Sequence, residues 1–73
     1  MQDYEVIQEY ITPCGGEQHA VRTIFEVETD DPEEYVRREG QYPILDVTAT
    51  PSGDPVITTG DAAGYRLRYT FTA

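Results

Sequence analysis

The sequence predicts an α+β fold: a single antiparallel β-sheet of four to five strands with one short helix packed on one face, in the order ββαβββ. Three observations carry this. Apolar and polar residues alternate over 65–73 and over 21–27, helix start and stop signals bracket 29–40, and turn-forming clusters separate the remaining apolar runs.

Residues 3–12 fit two descriptions. Val6, Ile7, Tyr10 and Ile11 stand at helical spacing, whereas the β-branched and aromatic content and the following Pro13-Cys14-Gly15-Gly16 fit one arm of a hairpin. The strand is preferred, because the next strand, at about 19–29, needs a neighbour close in sequence and 3–12 matches it in length. In that second strand Val21, Thr23, Phe25 and Val27 alternate with Arg22, Ile24, Glu26 and Glu28, so one face is apolar and the other wet. Ile24 on the wet side hints at a further contact.

The run from Thr29 to Gly40 predicts a helix of about two turns. Asp31 can cap the first free amides, and Pro32 suits the first helical position, where no N–H is required. Glu33 and Glu34 sit near the positive end of the dipole and Arg37 and Arg38 near the negative end, and Gly40 offers a left-handed stop. The apolar face is only Tyr35 and Val36, so the helix must lie against the sheet to be stable.

Ile44 to Ala49 predicts a third strand, with Pro43 tolerable at its entry, although which of its faces is buried stays open. Pro51 to Pro55 forms a turn, Val56 to Thr59 a short fourth strand, and Gly60 to Gly64 the loop into the last strand. There Tyr65, Leu67, Tyr69, Phe71 and Ala73 form the buried side, against Arg66, Arg68, Thr70 and Thr72. A three-stranded meander therefore closes the protein, and no internal repeat, low-complexity run or long linker interrupts it.

Seventy-three residues allow one domain and one core, and a chain of this size buries only about 60% of the surface it exposes when unfolded. Its stability is then a few kcal/mol unless a staple or partner adds to it. With Cys14 the only cysteine and His19 the only histidine, neither an internal disulfide nor a self-sufficient zinc site can form. Association with another chain, a homodimer included, is the device that remains. The unpaired cysteine and the absence of a secretion signal or membrane span predict a soluble protein of the cytoplasm, or of a particle assembled there.

Charge is the strongest compositional signal. Fourteen acids face five arginines and no lysine, for a formal net charge of −9, and residues 1–40 hold 11 of the acids and 3 of the arginines. Such a surface repels nucleic acid and anionic membrane and attracts basic protein partners. Solubility in high salt, or the codon bias of a GC-rich genome, accounts for the same composition.

The reactive residues are few. Cys14 and His19 stand five apart around two glycines with Glu17 between them, short of the three or four ligands zinc needs, and a Cys-His nucleophile pair would also require an oxyanion hole and a cleft. The bland account is a hairpin loop in which Cys14 packs as a small apolar residue. Glu26, Glu28, Asp30, Asp31, Glu33 and Glu34 crowd into nine residues, but in no calcium-loop spacing, and capping and wet-face positions explain them. Arg22, Arg66 and Arg68 could form a small anion patch on the polar side of the sheet, with cross-strand pairing to Glu26 or Glu28 as the plainer account. The six tyrosines, Tyr4, Tyr10, Tyr35, Tyr42, Tyr65 and Tyr69, are expected to be mostly half-buried sheet residues, a subset of which could anchor an interface. No Gly-rich phosphate loop, Ser-His-Asp set or basic aromatic stripe is present.

The functional expectation is a protein without catalytic residues, metal or cofactor: a protein-binding module or small assembly subunit. It would act through a sheet edge or through the acidic face of Glu26, Glu28, Asp30, Asp31, Glu33 and Glu34, from a halophile, a GC-rich bacterium or one of their viruses. In size and charge, though in no motif, the chain also resembles small virus-encoded inhibitors of restriction and CRISPR systems. That resemblance implies carboxylate rows that imitate nucleic-acid phosphates and occupy a basic groove. A third class is a small-ligand or metal-assisted enzyme acting as an oligomer, whose leading form uses Cys14 and His19.

Overall fold

The structure is a computed structural model that describes residues 1–73, apart from the side chains of Glu17 and His19. Among the described residues it contains five strands, β1 (Gln2–Ile11), β2 (Val21–Thr29), β3 (Ile44–Ala49), β4 (Pro55–Gly60) and β5 (Arg66–Thr72), and one α-helix, α1 (Pro32–Glu39). The strands form one sheet in the order β2-β1-β5-β4-β3, and every neighbouring pair is antiparallel. The sheet is therefore a hairpin and a meander joined along β1 and β5, the first and last strands in the chain.

The ambiguity over 3–12 is resolved by pairing on both sides. Val6 lies opposite Phe25 of β2 and Phe71 of β5, and it is fully buried between them. A helix over the same residues would bury its apolar stripe but leave β5 without a neighbour on that side. The hairpin turn is tied by Thr12, whose carbonyl and hydroxyl accept the N–H groups of Gly16 and Gly15 at 3.0 and 3.1 Å. A short 3-10 turn over Gly16–His19 then leads into β2.

The chain leaves β2 at one edge of the sheet and enters β3 at the other, and α1 carries it across one face. Asp31 caps the helix as expected, its Oδ1 accepting the Glu33 N–H at 3.1 Å, and Pro32 occupies the first turn. Gly40 corrects the expected left-handed stop: its backbone is extended, at φ −76° and ψ 150°, and its N–H reaches the Val36 carbonyl at 2.8 Å. Space rather than backbone conformation favours glycine there, since a Cβ would lie 2.6 Å from the same carbonyl oxygen.

Val6, Val27, Ile57, Leu67, Tyr69 and Phe71 line the covered face, and Val36 of α1 closes over them. Phe71 is the hub, with the rings of Tyr4 and Tyr35 set edge-on at 5.6 and 6.2 Å. Thr59, also fully buried, donates its hydroxyl to the Leu67 carbonyl at 3.2 Å, so the polar group it brings inside is satisfied. Gly60 ends β4 rather than opening the loop; a side chain there would meet the Tyr65 carbonyl and Leu45 at 2.8 Å.

Two expectations for the last strand are corrected. Tyr65 and Ala73 are exposed, because the strand spans only Arg66–Thr72 and both residues lie just beyond its ends. Tyr65 stacks instead on Tyr10, with centroids 6.1 Å apart and an interplanar angle of 9°. In β3 a register shift between Ile44 and Asp46 explains why its face was not legible: Leu45 is the extra residue of a bulge, which breaks the alternation.

Candidate functional site on the open sheet face

Alternation that sends Tyr4, Val6 and Tyr10 toward the core sends Asp3, Glu5, Ile7, Glu9 and Ile11 to the opposite face, which α1 leaves open. The register then fixes cross-strand rows. Asp3 lies opposite Glu28, and in the next row Glu5 lies between Glu26 and Thr72. Ile7 follows, between Ile24 and Thr70, in a row that continues through Val56 to Thr48. Glu9 comes next between Arg22 and Arg68, and Ile11 lies beside Arg66.

The face is thus graded from acidic, through apolar, to charge-compensated. In the first two rows four carboxylates oppose one another, and side chains directly opposite on antiparallel strands lie only about 4.5–5.5 Å apart at Cβ, where like charges are destabilising. Asp3, Glu5 and Glu26, with Tyr4, Thr72 and Ala73, line an open depression of about 350 Å³.

The Glu9 row is compensated. Its carboxylate accepts from Arg68 Nε at 3.0 Å and from Arg22 Nη2 at 3.4 Å, and its side chain is only 15% exposed. The Arg68 hydrogen bond holds the Glu9 carboxyl below its ordinary 4.5, against the opposing effect of desolvation. Here the structure corrects the expected partners of the arginines. Arg22 and Arg68 converge on Glu9, not on Glu26 or Glu28, because β1 lies between their strands and sets Glu9 directly opposite both. Arg66 and Arg68 also line a second depression, of about 340 Å³, with Ile11, Thr12 and Thr58.

The six carboxylates singled out from the sequence do not share one surface. Glu26 and Glu28 belong to the open face, whereas α1 and its approach lie across the sheet. There Asp30 meets the Met1 amino group at 3.2 Å, Asp31 caps the helix, and Glu33 takes Arg37 at 2.6 Å, leaving Glu34 exposed in the first turn. Sequence reasoning missed Asp3, Glu5 and Glu9. Their even spacing along the first strand, two residues from Asp3 to Glu5 and four from Glu5 to Glu9, was the available signal.

Cys14 is exposed in the hairpin turn, which corrects the expectation that it packs as an apolar residue: the turn is closed by the Thr12 carbonyl and hydroxyl on the Gly16 and Gly15 N–H groups and leaves the thiol outside. The expected proximity of Cys14 to His19, with Glu17 beside them, lies outside the described residues. Among the described residues no three His, Cys, Asp or Glu side chains are grouped to hold a metal ion, and no helix is long and apolar enough to cross a membrane.

These features define the class of the molecule as a helix-backed antiparallel sheet with one open, charge-graded face. Compared with protein-family models, curated proteins and solved structures, the chain shows no significant match in any of the three.

Proposed function

We propose that the chain is a non-catalytic protein-binding module whose open sheet face receives a basic partner surface. The observation that supports this is the pair of facing carboxylate rows, Asp3 with Glu28 and Glu5 with Glu26. Like charges so placed cost stability in the isolated protein, and a cationic partner removes that cost on binding. The neighbouring row of Ile24, Ile7, Thr70 and Val56 supplies apolar surface for the same partner.

A second reading is favoured by the grid of charge itself. Carboxylates two residues apart on a strand repeat at about 6.8 Å, and the neighbouring strand lies about 4.8 Å away, a two-dimensional array of negative charge able to stand in for phosphates in a basic groove. In this form the partner is a nucleic-acid-binding protein and the module its inhibitor.

Two double variants matched in charge test the proposal. Glu5→Gln with Glu26→Gln removes two charges from the open face, and Glu34→Gln with Glu39→Gln removes two from α1. With an arginine-rich peptide as probe, the first pair is expected to lower affinity at least tenfold at low salt and the second to change it less than threefold. Equal losses from both pairs would mean that only net charge matters and would remove the proposed site. For the inhibitor form, the protein is expected to displace DNA or RNA from its target in a manner that weakens with added salt.

A further inference from the structure

The two edges of the sheet are built differently. β3 is a six-residue strand that follows Pro43 and carries a bulge at Leu45, devices that keep a second strand from adding to an edge. β2 has nine residues, Val21–Thr29, with no proline and an unbroken register against β1 from Val21 to Thr29. It also exposes Val21 and Ile24 at 61% and 59%. We infer that β2 pairs with β2 of a second copy of this chain, antiparallel about a twofold axis at Ile24, to make one continuous sheet across the dimer.

Register chooses the axis. Centring on Ile24 sets the two Ile24 side chains against each other and places Arg22 opposite Glu26 of the second copy, twice by symmetry. On the other face Val21 then meets Val27, and Thr23 meets Phe25. Centring on Phe25 would put Ile24 opposite Glu26, centring on Glu26 would oppose two like charges, and centring on Thr23 would put Arg22 opposite Ile24. Only the Ile24 axis satisfies both the charges and the exposed apolar side chain. It also continues the apolar row of Val56, Thr70, Ile7 and Ile24 across the junction, and it gives Glu26, which faces Glu5 within its own chain, a cation. The net charge of −9 on each copy opposes the association, so the dimer forms most readily where salt screens long-range repulsion.

This inference uses the strand edge and does not depend on the basic partner proposed above. Its test combines mass measurement and cross-linking in 1 M salt, where the screening length is about 3 Å, on the Cys14→Ser protein. Light scattering at millimolar concentration should report a dimer, and Ile24→Cys should be cross-linked by a short bismaleimide. Glu28→Cys, whose two copies would lie about 27 Å apart along the strands, and Val47→Cys on the β3 edge should not. Arg22→Glu and Glu26→Arg, each alone, should weaken the dimer at least tenfold, and the two together should restore it. A monomer under these conditions, cross-linking through Val47→Cys instead of Ile24→Cys, or no restoration by the double reversal would overturn the inference. Binding of the arginine-rich peptide is read separately, at low salt on the protein without the Arg22→Glu or Glu26→Arg reversal, so failure of the dimer and failure of the proposed binding face are distinguishable.

Discussion

The two faces of the sheet solve opposite problems. Under α1, apolar residues interlock around Phe71, and Thr59 spends its hydroxyl on the Leu67 carbonyl; among the described residues no buried side-chain nitrogen or oxygen lacks a partner. On the open face Glu5 opposes Glu26 and Asp3 opposes Glu28, while the apolar Ile24 stands in water. The covered face is complete within the chain. The open face keeps like-charge pairs that nothing within the chain relieves, and the function proposed above draws on that contrast.

The largest expected effect breaks the covered face. Phe71→Ala removes the fully buried hub and should cost about 3–5 kcal/mol, enough to unfold much of so small a domain; urea denaturation followed by circular dichroism measures it. Glu9→Gln, at the compensated end of the open face, should cost about 1–2 kcal/mol, since Arg22 and Arg68 lose the shared negative charge and one of the two acceptor oxygens becomes a donor amide. The same pair predicts a pH dependence. Because the folded pKa of Glu9 lies below its ordinary 4.5, its contribution is complete above that pH and is lost as pH falls through the lowered value. The parent should therefore lose stability over that acid range more steeply than Glu9→Gln in parallel melts.

Asp31→Ala, which uncaps the helix covering the core, should cost about 1 kcal/mol, and Asp31→Asn should recover most of it. The smallest effect has the opposite sign. Glu5→Gln with Glu26→Gln should raise stability by about 0.2–1 kcal/mol at low salt, and the gain should shrink in 1 M salt, as thermal melts at both ionic strengths would show.

What was legible in the sequence follows the same division. Alternation at Phe25 and Val27 and at Leu67, Tyr69 and Phe71 marked the covered face, and Asp31 with Pro32 marked the start of α1, because each is a local rule about one element; Val21 and Thr23 fit the same period but are exposed, which corrects the expectation of a buried face along the whole of 21–27. What local rules could not supply was strand order. Only the placement of β1 between β2 and β5 makes Glu9, rather than Glu26 or Glu28, the partner of Arg22 and Arg68, and brings Asp3 and Glu5 into register with Glu28 and Glu26. Tyr65 fitted the alternation yet lies just before the strand and is exposed, and Gly40 satisfied a stop rule that its extended backbone does not use. Periodicity reports which face a residue takes, and the extent of the cover decides whether that face is dry.

The most direct test is a titration of nitrogen-15-labelled protein with an arginine-rich peptide at low salt, read residue by residue from amide shifts. The shifts should concentrate at Asp3, Glu5, Glu26, Glu28 and Thr72 and leave the amides of α1 nearly unmoved. Shifts spread evenly over the acidic residues of both faces, or centred on Glu33 and Glu34, would contradict the assignment of function to the open face.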